Sequence, residues 1–171
     1  VLRFPGGTIG NFYHPNKAAY GFNPDDVDQW YSGNFSTRVH SLKQAAVKRG
    51  HNNDYINDFI VLAKRLNAKV IVNANILTAE KSEIIFILNR FKEEDIEVLG
   101  VELGSELSNR AYKKKIKSVY DYIYLAKNCS ENIKNSFPDM KVAVVSAPLK
   151  KKMPDRLKNW NYILAKENFY D

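Results

Sequence analysis

The chain has 171 residues, 44% of them hydrophobic, enough to bury one core as a single domain. Its formal net charge is +7, drawn largely from Lys113–Lys115 and Lys150–Lys152; neither run is interleaved with aromatic or glycine recognition residues, so both read as solvated faces and not as a nucleic-acid surface. The lone cysteine, Cys129, excludes an internal disulfide, and His14, His40 and His51 lie in loop-like stretches without metal-ligand spacing, so no metal and no other cofactor is expected.

Val1 to Phe4 reads as a short strand, broken by Pro5-Gly6-Gly7. Glycine there permits positive φ and close approach of backbone to a ligand, although an ordinary tight turn explains the same residues. Residues 8–51 read as a long irregular insertion, with a short helix around Ser41 to Lys48. The insertion mixes Asn11, Tyr13, Tyr20, Trp30, Tyr31 and Phe35 with Gly, Pro and Asp. Aromatic rings beside amides suit sugars, whose C–H faces stack while their hydroxyls need donors and acceptors; the same rings also serve to pack a loop against the body.

Asn53 and Asp54 are candidate caps for a helix to about Leu66, with an apolar stripe of Tyr55, Phe59, Leu62 and Leu66. Lys69 to Asn73 follows as a buried strand, with Asn73 and Asn75 at its end. Thr78 is the candidate cap of the next helix, Glu80 stands in its first turn, and Ile84, Ile85, Leu88 and Phe91 form its buried face. Val98 to Leu103 is the next apolar strand. It runs into Gly104-Ser105-Glu106, which sets a carboxylate at the strand's carboxyl end. Glu102 falls inside the strand, facing either a barrel interior or the helix layer. Glu106 falls just past it, either in a cleft or simply solvated.

A longer helix is expected over Ala111 to Asn135, with Ile116, Val119, Tyr120, Ile123 and Ala126 inward and Tyr122 and Tyr124 at the core edge or surface. Lys141 to Ser146 reads as a strand closed by Pro148, and Asp155 to Lys166 as a last helix with Leu157, Trp160, Ile163 and Leu164 apolar. Phe169 and Tyr170 would begin another strand. Strands alternating with helices imply an α/β fold with a parallel sheet, either doubly wound or part of a (β/α)8 TIM barrel. No signal peptide or membrane-spanning run is present, and no membrane partner is expected. The chain opens without methionine inside a strand and stops at Asn168-Phe-Tyr-Asp171, as a piece of a longer protein would. Asn34-Phe-Ser36 and Asn128-Cys-Ser130 match glycosylation sequons, a triplet common by chance.

Leu2-Arg-Phe-Pro-Gly-Gly7 resembles the LR-[FY]-PGG element that closes the second barrel strand of α-L-arabinofuranosidase-like glycoside hydrolases. Residues 58–75 resemble their next helix and third strand. Val101-Glu-Leu-Gly-Ser-Glu106 resembles the W-x-L-G-N-E or V-E-L-G-N-E signature of the fourth strand, shared across the clan of retaining (β/α)8 hydrolases that includes heparanase-like β-glucuronidases. Asn168 to Asp171 resembles the start of the sixth strand.

The resemblance implies a single incomplete TIM-barrel catalytic domain over 1–171, strands two to five, acting on an oligo- or polysaccharide outside the cell or in the periplasm. It assigns Glu106 as general acid/base, Arg3 as support for the nucleophile carboxylate, Asn73 and Asn75 as pocket lining, and Gly6 and Gly7 as backbone close to the sugar. Ser105 stands where the clan usually has an asparagine that bonds the sugar's 2-hydroxyl. The nucleophile would lie beyond residue 171, so the chain holds at most one of two catalytic carboxylates. Three functions are weighed: a glycosidase piece; a catalytically degraded carbohydrate-binding or interaction module; and a nucleotide-binding domain, which lacks its glycine fingerprint. The open edges of an incomplete barrel would also invite self-association.

Overall fold

The computed structural model shows an α/β fold on one four-stranded parallel sheet. It describes all residues except 18, 33–34, 51–53 and 150–151, and omits the side chains of Ile9, Ala19 and Ser36. His51, Asn53, Asn34, Lys150 and Lys151 therefore lie outside the described residues. β1 (Leu2–Phe4) is followed by a single turn, α1 (Gly7–Gly10), then α2 (Pro24–Trp30) and α3 (Phe35–Lys48). Next come α4 (Ile56–Arg65), β2 (Val70–Asn73), α5 (Lys81–Glu93) and β3 (Val98–Glu102). α6 (Val119–Ser136), β4 (Val142–Ala143) and α7 (Trp160–Leu164) complete the order.

The strands lie side by side in chain order, β1-β2-β3-β4. That order has no reversal, hence no topological switch point of the kind a doubly wound nucleotide-binding sheet uses. Right-handed crossovers in an unreversed sheet put the helices on one face. Burial agrees. Phe4, Val72, Val101 and Val142 form one row across all four strands and are buried. The opposite face carries exposed Arg3 and Ala143 and half-buried Ile71 and Glu102. Phe4 anchors the core, its ring edge-on to Tyr13 at 5.1 Å and to Phe91 at 5.4 Å.

The 8–51 segment is more regular than its composition suggests. α2 starts at Pro24, with Asn23 Oδ1 accepting from the Asp25 N–H, and α3 runs from Phe35, well before Ser41. His40 sits within α3, 2.9 Å from Asp28. The aromatics of this segment are packing residues. Tyr13 lies against Phe4, Phe22 and Tyr55, and Tyr31 against Phe12, Phe35 and Tyr112. On α4 the buried face is Ile56, Ile60 and Ala63, one residue out of phase with the expected stripe, so Leu62 and Leu66 are exposed. On α5, Ile87 is buried and Ile85 only half-buried; Thr78 caps nothing there, and bonds Asn75 instead.

α6 begins at Val119, not near Ala111, because Ser118 and Asp121 close a capping box that fixes the start. That start sets the register: Tyr122 is buried and Tyr120 exposed, reversing the expectation. The expected strand 141–146 shortens to Val142–Ala143 because side chains take the later ladder positions. The Tyr122 hydroxyl accepts from Val145 N–H at 2.7 Å and donates to Leu103 C=O at 3.1 Å, while Asn161 bonds both the N–H and C=O of Ala147. The last helix is a 3-10 turn at Asp155–Leu157 plus α7. Residues 169–170 form no strand, although Asp171 N–H bonds Val142 C=O at 3.0 Å.

Candidate functional site

The chain leaves β3 through Gly104, whose φ is +85°. A Cβ there would lie 2.3 Å from Leu107 Cδ1, so the turn admits only glycine. Ser105 follows, buried, and the Asn11 side chain grips its backbone from both sides. Asn11 Oδ1 accepts from Ser105 N–H at 2.8 Å. Its Nδ2 donates to Ser105 C=O and to Tyr112 Oη, both at 2.7 Å. Farther along, the Arg156 guanidinium gathers three carbonyls: Ile116 at 2.8 Å, Leu107 at 2.9 Å, and Ser108. The loop after β3 is therefore fastened on two sides.

Glu106 stands in this loop, exposed, in the left-handed backbone region at φ +53°. Non-glycine residues occupy that region at a cost, and they concentrate at functional positions. Arg3 reaches over β2 to form an ion pair with Glu102, its Nε 2.5 Å from Oε2. Arg3, Glu102, Ser105 and Glu106 line one open cleft of about 470 Å³ at the carboxyl ends of the strands. Glu106 also lines an adjoining groove of about 630 Å³ with Ser108, Arg110, Ser146 and Pro154. Volumes of this order suit a sugar-sized ligand. The carboxylate held by Arg3 is thus Glu102, within the chain.

The other residues singled out by sequence do not join this cleft. Gly6 (φ +75°) and Gly7 (φ +65°) make the expected turn, but Gly6 packs on Arg3 and Gly7 opens α1. Asn73 pairs in register with Glu102, yet it is buried under Gly10, where a Cβ would fall 2.8 Å from Asn73 Oδ1. Asn75 closes an Asx turn, its Oδ1 accepting from the N–H groups of Leu77 and Thr78 at 3.1 Å. Both asparagines line a separate crevice between α5 and α6. The cleft therefore joins Arg3, Ser105 and Glu106 and leaves out Gly6, Gly7, Asn73 and Asn75.

Asn11, Arg156 and His14 are the structural supports that sequence reasoning missed. The only short-range hint was Asn11 among the amides of its segment. Removing the Asn11 amide would orphan the buried N–H and C=O of Ser105. Asn11→Ala is expected to cost about 2–4 kcal/mol in urea unfolding. A loss under about 0.5 kcal/mol would show that the clamp is dispensable. His14 is buried between two carboxylates, Nδ1 to Glu83 on α5 and Nε2 to Asp26 on α2, both at 2.8 Å. Burial alone would lower its pKa, but the hydrogen bonds and charges of Glu83 and Asp26 prevail and raise it. Burial pushes the Cys129 thiol up to about 12.

Among the described residues no group of three or more His, Cys, Asp or Glu is placed to hold a metal ion, and no helix is long and apolar enough to cross a membrane. Comparison of the chain with protein-family models, with curated proteins and with solved structures finds no match.

Proposed function

We propose that these residues form part of a retaining glycoside hydrolase of (β/α)8 architecture, with Glu106 as the general acid/base. One observation carries the reading: an exposed carboxylate, held in a left-handed turn by a buried clamp, shares an open cleft with the Arg3–Glu102 pair at the carboxyl ends of parallel strands. The unreversed strand order, with one sheet face buried and the other left uncovered with Arg3 and Glu102 on it, is what a segment of a singly wound barrel would have.

In this reading Glu106 protonates the leaving-group oxygen, then removes a proton from the attacking water. Arg3 neutralises Glu102, so the cleft keeps one carboxylate free for proton transfer. The nucleophile is a second carboxylate from outside these 171 residues. The substrate is an oligo- or polysaccharide, and the setting is extracellular or periplasmic. The uncovered face and the edge strands β1 and β4 would be completed by further strands or by a second copy.

The test is hydrolysis of a panel of oligosaccharides by the protein that carries this chain, with the product anomer followed by NMR. Retained configuration supports the proposal; inverted configuration overturns it. A second reading, a carbohydrate-binding module that has lost catalysis, draws support from Ser105, whose buried position gives it little reach toward a sugar hydroxyl. Saturable binding without turnover would decide for it.

A further inference from the structure

The groove of about 630 Å³ beside the Glu106 cleft lies between the loop after β3 and the loop after β4. Ser108, Arg110 and Ser146 are polar groups of its lining, and Pro148, Pro154 and Leu157 are apolar ones. Arg110 opens a 3-10 turn capped by Asn109, whose Oδ1 accepts from Ala111 N–H at 3.0 Å. The Arg110 side chain is exposed, and among the described residues no carboxylate or carbonyl engages it. A guanidinium presents a planar fork of donors that pairs with the oxygens of an oxyanion.

The two ends of the sheet differ in how their cations are neutralised. At the amino-terminal end they meet carboxylates: Lys64 with Glu94 and Lys69 with Glu97 at 2.8 Å, and Lys141 with Asp171 at 3.3 Å. At the carboxyl-terminal end they do not. The loops after β3 and β4 carry exposed Lys113, Lys117, Lys152 and Lys158, none of them in an ion pair among the described residues. Arg156 directs Nε, Nη1 and Nη2 at neutral carbonyls, so its charge also stays uncancelled. Against these cations the same loops set the carboxylates of Glu106 and Asp155. Charge of one sign around a cleft raises the local concentration of the opposite ion. The lining holds no aromatic ring on which a base could stack, which disfavours a nucleic acid. An acid/base protonates the oxygen between the two sugars it separates, so the Arg3–Glu102 side of Glu106 takes the sugar under attack and the groove takes the leaving group.

We propose that this groove binds an anionic sugar unit, carrying a carboxylate or a sulfate ester, on the leaving-group side of the bond that is cut. That the ligand is a sugar rests on the glycosidase reading; that it is anionic rests on the charge of the groove. The test is calorimetric binding to the protein that carries this chain, at low ionic strength, of oligogalacturonate against its neutral methyl ester and of dextran sulfate against dextran. In at least one pair the charged member should bind about tenfold more tightly, and the preference should shrink as salt is raised. The pair that shows it tells carboxylate from sulfate. Arg110→Gln should narrow the preference about fivefold, whereas Lys69→Gln, the same loss of charge at the other end of the sheet, should leave it unchanged. The comparison within each pair needs no variant. Anion preference without hydrolysis of any glycan would uphold this proposal and sink the glycosidase reading; hydrolysis of neutral glycans without anion preference would do the reverse. Equal affinity within both pairs, full preference retained in Arg110→Gln, or tighter binding of polyuridylate than of either charged glycan would overturn the proposal.

Discussion

Glu106→Gln is expected to slow glycoside hydrolysis by about 10²–10⁴-fold, the usual worth of a positioned acid/base. The amide matches the carboxyl in size but neither gives nor takes the proton. The loop should survive, because the Asn11 clamp uses the backbone of Ser105 and no atom of the Glu106 side chain. The loss should depend on the leaving group. A nitrophenolate departs without protonation, so with such substrates the first step should be nearly normal and the second, which needs a base for water, should be slow. A burst of nitrophenol followed by slow turnover is the expected trace. Undiminished turnover of a natural oligosaccharide would remove Glu106 from the mechanism.

The second large effect concerns His14. His14→Ala strips the shared partner from Glu83 and Asp26, whose side chains are only 19% and 20% exposed. A broken buried pair of this kind costs about 3–5 kcal/mol. The same contact predicts a pH dependence. The folded-state pKa lies above the unfolded value of 6.5. The native state therefore holds the extra proton between the two values, and the stabilisation is complete below the unfolded pKa. It drains away as pH rises through the folded one, at up to about 1.4 kcal/mol per pH unit. Urea unfolding measured from about pH 5 to 9 should show this decline in the unaltered protein and lose it in His14→Ala. A flat profile would mean that folding leaves the proton affinity of His14 unchanged, and stability rising with pH would mean that His14 is held neutral in the fold.

The strand–helix rhythm was legible because runs such as Val-Ile-Val before Asn73 and the apolar stretch before Gly104 are strong local signals. Helix phase was not. On α4 the sets 55-59-62-66 and 56-60-63 both satisfy helical spacing; Tyr55 and Phe59 do pack on Phe4, but the fully buried row is Ile56, Ile60 and Ala63, and Leu62 and Leu66 are left exposed. β4 was overestimated because the groups that capture Val145 and Ala147 come from Tyr122 and Asn161, distant in sequence.

The site divides the same way. Glu106 and Arg3 were visible as charged residues at strand ends. Asn75 lies outside the cleft; an asparagine after a strand serves an Asx turn as readily as a ligand. Arg156 gave no signal at all, since two of its partners lie 48 and 49 residues away.

The Asn11 contact spans 94 residues of sequence, yet both of its ends are loops, the parts of a protein that usually drift most freely. Here they are yoked. Lengthening the stretch after β1 by one residue would drag on the rim that presents Glu106, and a change in that rim would pull on the stretch after β1. The two loops can be remodelled only as a pair, so any attempt to retune what the cleft accepts must redesign both at once.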